Sequence, residues 1–195
     1  MNTPAHVVLN SLVLGRGRWS AYCLPITAGA LAPDMPILGF YLYERALRGV
    51  PERVIWSHAY FAPRWQMLFD VSHALPLILL AALVAWSVSA QPWLAFFASM
   101  ALHSAADFPL HNEDAHAHFV PLSSWRFRSP VSYWDAHRHG TVFLVAEVLL
   151  VIGGSLALLR RTPPAWRVVG RLILVAYVAL LGFALVMWTS SVRAT

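Results

Sequence analysis

Apolar residues along this chain fall into continuous runs, separated by short polar or proline-bearing breaks, rather than alternating with polar ones. That pattern argues for buried or lipid-facing helices. A run over residues 4–14 predicts a first short helix, ended by the polar turn Gly15-Arg16-Gly17-Arg18. A second helix is predicted at 20–32, stopped by Pro33-Asp34-Met35-Pro36, because proline removes a backbone donor and collides with the preceding turn. Residues 37–48 read as an aromatic, interfacial helix carrying Phe40, Tyr41 and Tyr43. Residues 49–66 read as a loop rich in Trp, Tyr and Pro, suited to a membrane–water boundary.

Unbroken spans are expected at 67–89 and 93–110, with Gln91-Pro92 in the tight turn between them. A polar segment at 111–140 shows no periodicity. Two further spans follow at 141–159 and 169–190, joined by an Arg-Arg-Thr-Pro-Pro turn. Several of these runs approach the ~20 residues that a bilayer-crossing helix needs. The fold class is therefore all-α: a polytopic helical membrane protein with about four to six membrane helices, including a short N-terminal helical hairpin. One integral-membrane domain is expected over 1–195, with residues 1–140 as its core and 141–195 adding two C-terminal membrane helices.

Composition strengthens this picture. Hydrophobic residues make up 58% and charged residues 12%, against roughly a quarter charged in soluble domains. The net charge is +5, and all fourteen cations are arginine. These arginines lie in short loops beside apolar spans, which suits lipid headgroups and topology. Nucleic acid would need a basic stripe on a soluble face and is not an expected partner. The lone Cys23 excludes an internal disulfide and any cysteine-based zinc site. The first apolar run, from Ala5 to Leu14, lacks the basic region and small-residue cleavage site of a signal peptide.

Polar residues carry the rest of the information. Between His103 and His139 stand six of the nine histidines, three aspartates and a glutamate. Imidazoles and carboxylates are costly near hydrocarbon unless they pair or bind a metal. Tracing helix ends brings His6, Asp34, the Asp70/His73 turn, His103, Asp107 and the 111–140 loop to one end of the helices. Glu147 is the exception. The opposite end receives Arg16, Arg18, Arg160, Arg161, Arg167 and Arg171. By the positive-inside rule those arginines are cytoplasmic, so the His/Asp cluster faces the periplasm of a bacterial inner membrane.

His103 and Asp107 are spaced i, i+4 on one helical face, and Asp70 and His73 i, i+3. Each residue also has a plain structural explanation. A helix-packing hydrogen bond accounts for His103 and Asp107, a helix stop for Asp34, and a snorkelling terminal residue for His6. Asp70 suits a helix N-terminus, and a solvated loop accommodates His111, His116 or His118. Jointly they point to a divalent metal site, most naturally Zn2+, of one or more ions. Asp135 either acts as a base or caps the helix after it. Arg126, Arg128 and Arg138 sit among these groups, where a guanidinium would serve a phosphate or carboxylate substrate. Serine-nucleophile elbows, Walker loops, dinucleotide fingerprints and Cys-x-x-Cys pairs are absent from the sequence.

His6, the Gly29-Ala-Leu-Ala-Pro33-Asp34 segment, His73 and His103-x-x-x-Asp107 resemble the bacterial membrane-bound, metal-dependent hydrolases of the DUF457 type. These are distantly similar to zinc-dependent phospholipase C and the S1/P1 nucleases. The resemblance covers residues 1–140 and implies an all-helical metal site in which His6, Asp34, His73, His103 and Asp107 match ligand positions. His111 lies closer to Asp107 than the corresponding histidine of the soluble relatives, Pro36 replaces a second acidic residue, and Asp70-Val-Ser replaces an Arg-Gly-containing stretch. The stretch from His111 to Gly140 also resembles bacterial membrane proteins loosely linked to cobalamin biosynthesis, but nothing in it argues for corrin chemistry.

The expected function is hydrolysis of a phosphoester or lipid-like substrate at the membrane surface. Metal ligands would come from His6, Asp34, His73, His103, Asp107 and His111. Asp70 or Asp135 would act as base, and Arg126, Arg128, His116 and His118 would hold a small phosphorylated or lipid substrate. A metal-binding or transport protein, or a non-catalytic structural membrane protein, would use the same residues differently.

Overall fold

A computed structural model of the chain describes residues 1–161 and 163–193. Helix makes up 72% of it, and no strand occurs among the described residues. The helices are α1 (Thr3–Leu14), α2 (Cys23–Leu31), α3 (Met35–Leu42), the single turn α4 (Glu52–Val54), α5 (Pro63–Ser72), α6 (Leu75–Ser87), α7 (Gln91–Asp107), α8 (Gly140–Leu158) and α9 (Ala165–Arg193). Among the described residues, three helical segments are long and apolar enough to cross a membrane: Cys23–Leu47, Pro63–Ser87 and Gly140–Leu158, with mean hydropathies of 1.3, 2.0 and 2.3. Their outward leucines and valines, such as Leu79, Leu80, Leu83, Val145 and Leu149, are exposed, as side chains solvated by lipid would be.

Two of these three segments are interrupted midway. Cys23–Leu47 passes from α2 through a 3₁₀ turn, Ala32–Asp34, into α3. Pro33 and Pro36 enforce that change, since neither can donate to a carbonyl four residues back. The span predicted as unbroken over 67–89 is in fact two helices, α5 and α6, with His73 and Ala74 between them. The cause is Pro76 at the start of α6: in a continuous helix its ring would collide with the Ser72 carbonyl. Part of the expected loop at 49–66 is helical too, as α4 and a π turn over Ile55–Ala59.

The interruptions separate two packed layers. On one side α1, α2 and α6–α9 form a bundle in which α2 packs on α7, α6 on α7, α8 on α9, and α1 on both α2 and α8. Its far end closes around Cys23, Ile26, Ala95, Leu158 and Trp166. There the Arg161 guanidinium donates to the carbonyls of Ser11, Gly15 and Leu12 at 2.9, 3.0 and 3.2 Å. The Leu12 carbonyl is one of the terminal acceptors that a helix backbone leaves unpaired, while the Ser11 carbonyl also accepts the Gly15 N–H at 3.1 Å. On the other side α3, α4, α5 and the π turns over Tyr43–Leu47 and Ile55–Ala59 form an aromatic cap around Phe40, Ile55, Tyr60 and Phe69.

Small residues set the closest bundle contact, as in other membrane helix pairs. A Cβ added at Gly29 on α2 would stand 2.2 Å from the Phe96 carbonyl oxygen and 2.8 Å from the Ser99 Cβ on α7. The same interface is pinned by polar groups: Asn10 donates to the Ser99 carbonyl at 2.7 Å and its hydroxyl at 2.8 Å, and that hydroxyl donates to the Ile26 carbonyl at 2.6 Å. Gly29→Ala must therefore push α2 off α7. The variant should lose ~1–3 kcal/mol of stability, read as a lower thermal unfolding midpoint of the detergent-solubilised protein, whereas Gly39→Ala, with open space at its Cβ, should not.

Candidate metal centre

The layers meet at a polar core. Asp34, at the end of the 3₁₀ turn, His73, in the α5–α6 break, and His103 and Asp107, on the last turns of α7, each offer one donor atom, and those atoms lie within 4.8 Å of one another. His103 Nε2 is 3.2 Å from Asp107 Oδ2 and 3.5 Å from Asp34 Oδ1. His73 Nε2 is 3.7 and 4.0 Å from the same two oxygens. Donors ~2.1 Å from one tetrahedral ion stand about 3.4 Å apart, so the spacing suits a shared cation. Both histidines are fully buried, and Asp107 is 2% exposed. This buried His/Asp group can hold a metal ion.

Helix ends set the histidine tautomers. His103 Nδ1 lies 2.7 Å from the Ala30 carbonyl, in the last turn of α2, and His73 Nδ1 lies 2.8 Å from the Phe69 carbonyl, in the last turn of α5. A carbonyl only accepts, so the Nδ1 atoms carry protons, and in the neutral ring each Nε2 presents a lone pair to the group. No hydrogen-bond donor reaches either Nε2. Two buried lone pairs facing two carboxylates repel unless a cation lies between them, and anchoring of the outer ring nitrogen is the usual support of a metal-bound histidine. The Thr3 hydroxyl donates to Asp34 Oδ2 at 2.5 Å, and Ser72 donates to the Pro33 carbonyl at 2.8 Å, tying one break to the other.

The second oxygen of Asp107 faces different partners. Its Oδ1 is 2.9 Å from His6 Nε2, 3.3 Å from His111 Nε2 and 2.7 Å from the Met1 amino group. The His6 ring stacks on His103 with centroids 3.5 Å apart. His111 is anchored through Nδ1 to Asp114 Oδ2 at 2.8 Å, which also accepts from the Trp134 indole at 3.1 Å. All six expected ligand residues thus meet around Asp107, four in one compact group and two on its other oxygen.

Loop histidines complete the lining. His116 stacks on His73 at 4.1 Å, and His118 lies beside both. His118 Nδ1 is 3.0 Å from the His116 carbonyl, and its Nε2 is buried without a partner. Its free atom is a lone pair, better suited to a cation or a proton donor than to the substrate oxyanion expected of it. Burial lowers the pKa of His116 and His118, and neighbouring histidine charge lowers that of His116 further. Burial disfavours a charged His111 as well, but the Asp107 and Asp114 carboxylates outweigh it and raise its pKa. Its Nε2 therefore carries a proton or a cation towards Asp107.

Other expected residues lie elsewhere. Both Asp70 oxygens are engaged, Oδ1 by the Ala117 backbone N–H at 2.9 Å and Oδ2 by Arg126. Arg126 in turn donates to the Ala115 carbonyl and to Gln66. These two residues, expected as base and substrate clamp, instead fasten the 111–126 loop over the core. Asp135 caps the turn before α8, accepting from the His137 N–H at 2.9 Å, and Arg128 is exposed; neither belongs to the group. Glu147 was the outlier by sequence, yet Asn2 donates to it through its backbone at 3.1 Å and its side chain at 2.5 Å, which brings it to the same end.

Sequence reasoning missed Asp114, Thr3 and the two anchoring carbonyls. Asp114 stands three residues after His111, a visible spacing, but in a loop without a period. Comparisons of the chain with protein families, curated proteins and solved structures give no match.

If the Asp70–Arg126 pair fastens the loop, Asp70→Asn should keep an acceptor for the Ala117 N–H but lose the ion pair with Arg126. Hydrogen exchange across residues 111–121 should rise in Asp70→Asn and in Arg126→Ala, while exchange in α8 stays unchanged. Unaltered loop protection in both variants would contradict the role.

Proposed function

We propose that this protein is an integral-membrane, metal-dependent hydrolase acting on a phosphoester, small or lipid-borne, at the membrane surface. The observation that carries the reading is the buried set of two imidazole Nε2 atoms, neither with a hydrogen-bond partner, and two carboxylate oxygens within 4.8 Å. Neutral imidazoles with carboxylates and no thiolate suit Zn2+. A divalent ion held there would supply Lewis acidity towards a water molecule and a phosphoryl oxygen.

The protein's own contributions follow from the geometry. The Ala30 and Phe69 carbonyls hold His103 and His73 in the tautomer that leaves Nε2 free. Asp107 turns one oxygen to that pair and the other to His6 and His111. That division suits a carboxylate shared between two cations, so we infer two ion positions. The loop fastened by Asp70 and Arg126 keeps bulk water off the group, which strengthens every electrostatic contact inside. The resemblance of residues 1–140 to membrane-bound metal-dependent hydrolases, carried by His6, Asp34, His73, His103 and Asp107, supports the same reading.

Ion conduction is the less favoured alternative. Beneath the core Asn10 and Ser99 are bonded to each other and to the Ile26 carbonyl, and beyond them lies the apolar cluster around Ile26 and Trp166. No chain of polar groups leads an ion through the described bundle.

Elemental analysis of the purified full chain tests the proposal, together with hydrolysis of bis-p-nitrophenyl phosphate. Wild-type protein should carry zinc and turn over. His103→Ala and Asp107→Ala should lose bound metal and turnover together; full turnover in both would overturn the reading, and a metal-free wild type would leave protons to neutralise the cluster. His6→Ala and His111→Ala should lower the metal stoichiometry without abolishing it. Asp114→Asn, which neutralises the outer partner of His111, should cost ~10–100-fold in metal affinity or rate.

A further inference from the structure

We propose that the cleft between α8 and the start of α1 binds the hydrocarbon chain of a membrane lipid whose phosphorylated head is presented to the metal centre. The lipid's role as substrate rests on the hydrolase reading above. The cleft has a volume of about 180 Å³ and almost wholly apolar walls. Leu110 and Tyr133 line it from the loop, Phe143, Ala146 and Leu150 from α8, and Met1 from the N-terminal end. The three α8 residues share a helical face by their spacing.

Two features select a lipid chain as occupant. First, α8 is a membrane-crossing segment with mean hydropathy 2.3, and Val142, Val145 and Leu149 beside the cleft face are exposed. Hydrocarbon is therefore the medium at its open side. Glu147, the one acidic residue in the wall, is consumed by Asn2 at 3.1 and 2.5 Å and offers no free charge to a polar guest. Second, the cleft ends at the metal centre. Leu110 adjoins His111, and the Tyr133 backbone N–H donates to the Leu110 carbonyl at 3.0 Å. The Tyr133 ring lies 5.0 Å from the His111 ring, and His111 Nε2 is 3.3 Å from Asp107. A lipid entering sideways from the bilayer would keep its chain against α8 while its head reached the histidines.

The test uses the full chain in nanodiscs of phosphatidylethanolamine and phosphatidylglycerol, with a tracer of phosphatidylglycerol bearing a diazirine on its acyl chain. After irradiation, mass spectrometry maps the cross-links. Label should concentrate on Leu110, Tyr133 and residues 143–150 over the outward face of α6 at Leu79 and Leu83. Ala146→Trp, which fills the cleft, should lose most of the cleft label while keeping the α6 label and wild-type metal content. Equal labelling of the cleft and of Leu79 and Leu83 in the wild type would overturn the proposal, whether or not Ala146→Trp folds. So would cleft labelling that Ala146→Trp leaves unchanged. Metal content separates the two readings. Cleft labelling in a metal-free protein would uphold the lipid site and remove the hydrolase. Bound metal with turnover of bis-p-nitrophenyl phosphate but no cleft label would remove the lipid site alone.

Discussion

The structure turns on two hydrogen bonds from histidine ring nitrogens to helix-end carbonyls: His103 to Ala30 and His73 to Phe69. Each lies where a helix stops. The Phe69 carbonyl accepts the His73 backbone N–H, four residues on, at 3.3 Å as well as lying against the ring of the same residue; a carbonyl oxygen has two lone pairs and can serve both. These helix-end acceptors choose the tautomer of two fully buried histidines. Backbone irregularity at membrane depth is tolerated only where it is enclosed by protein or lines a polar site. Here the cap, the loop and the bundle enclose it.

That constraint explains why so much polar surface is buried in so apolar a chain. His6, His73, His103, Asp107, His111, His116 and His118 are all buried. Their cost would be prohibitive singly, since an unpaired buried polar group is worth ~1–3 kcal/mol of destabilisation and a charge more. Shared contacts offset it. Asp107 serves both sides of the cluster, Asp114 orients His111, and Asp70 with Arg126 pins the loop that brings His116 and His118 down. Replacing any one member leaves its partners buried and unsatisfied, so the cluster behaves as a unit.

The clefts, cap and arginines arrange themselves around this unit. Aromatic residues of the cap pack edge-to-face around Phe40 and carry Phe69, whose carbonyl holds His73. At the other end Arg161 closes α1, the helix that bears His6. Pieces far apart in sequence thus serve the same few square ångströms of polar core, and the stability of the bundle is coupled to the geometry of the site.

The helical class, the positions of the long apolar segments and the gathering of His6, Asp34, His73, His103 and Asp107 at one end were all legible in the order of residues. Apolar periodicity and proline positions are local properties, and antiparallel alternation follows from them. What the linear pattern could not decide was which polar groups face each other. Asp70 and Arg126 look like catalytic chemistry in sequence, because a carboxylate near a histidine and an arginine near a cluster fit that role. In the fold they are spent on each other and on the Ala117 amide. The break at His73 was hidden inside an apolar run, because Pro76 acts four residues back and hydropathy does not register it. Asp114 and the 111–140 loop have no period to read, so only long-range packing reveals that the loop folds back over the site. The sequence by itself determined which histidines and aspartates gather and the end of the helices at which they do. Tertiary structure decided which oxygen of Asp107 meets which histidine, because such pairings depend on contacts about a hundred residues apart rather than on neighbours along the chain.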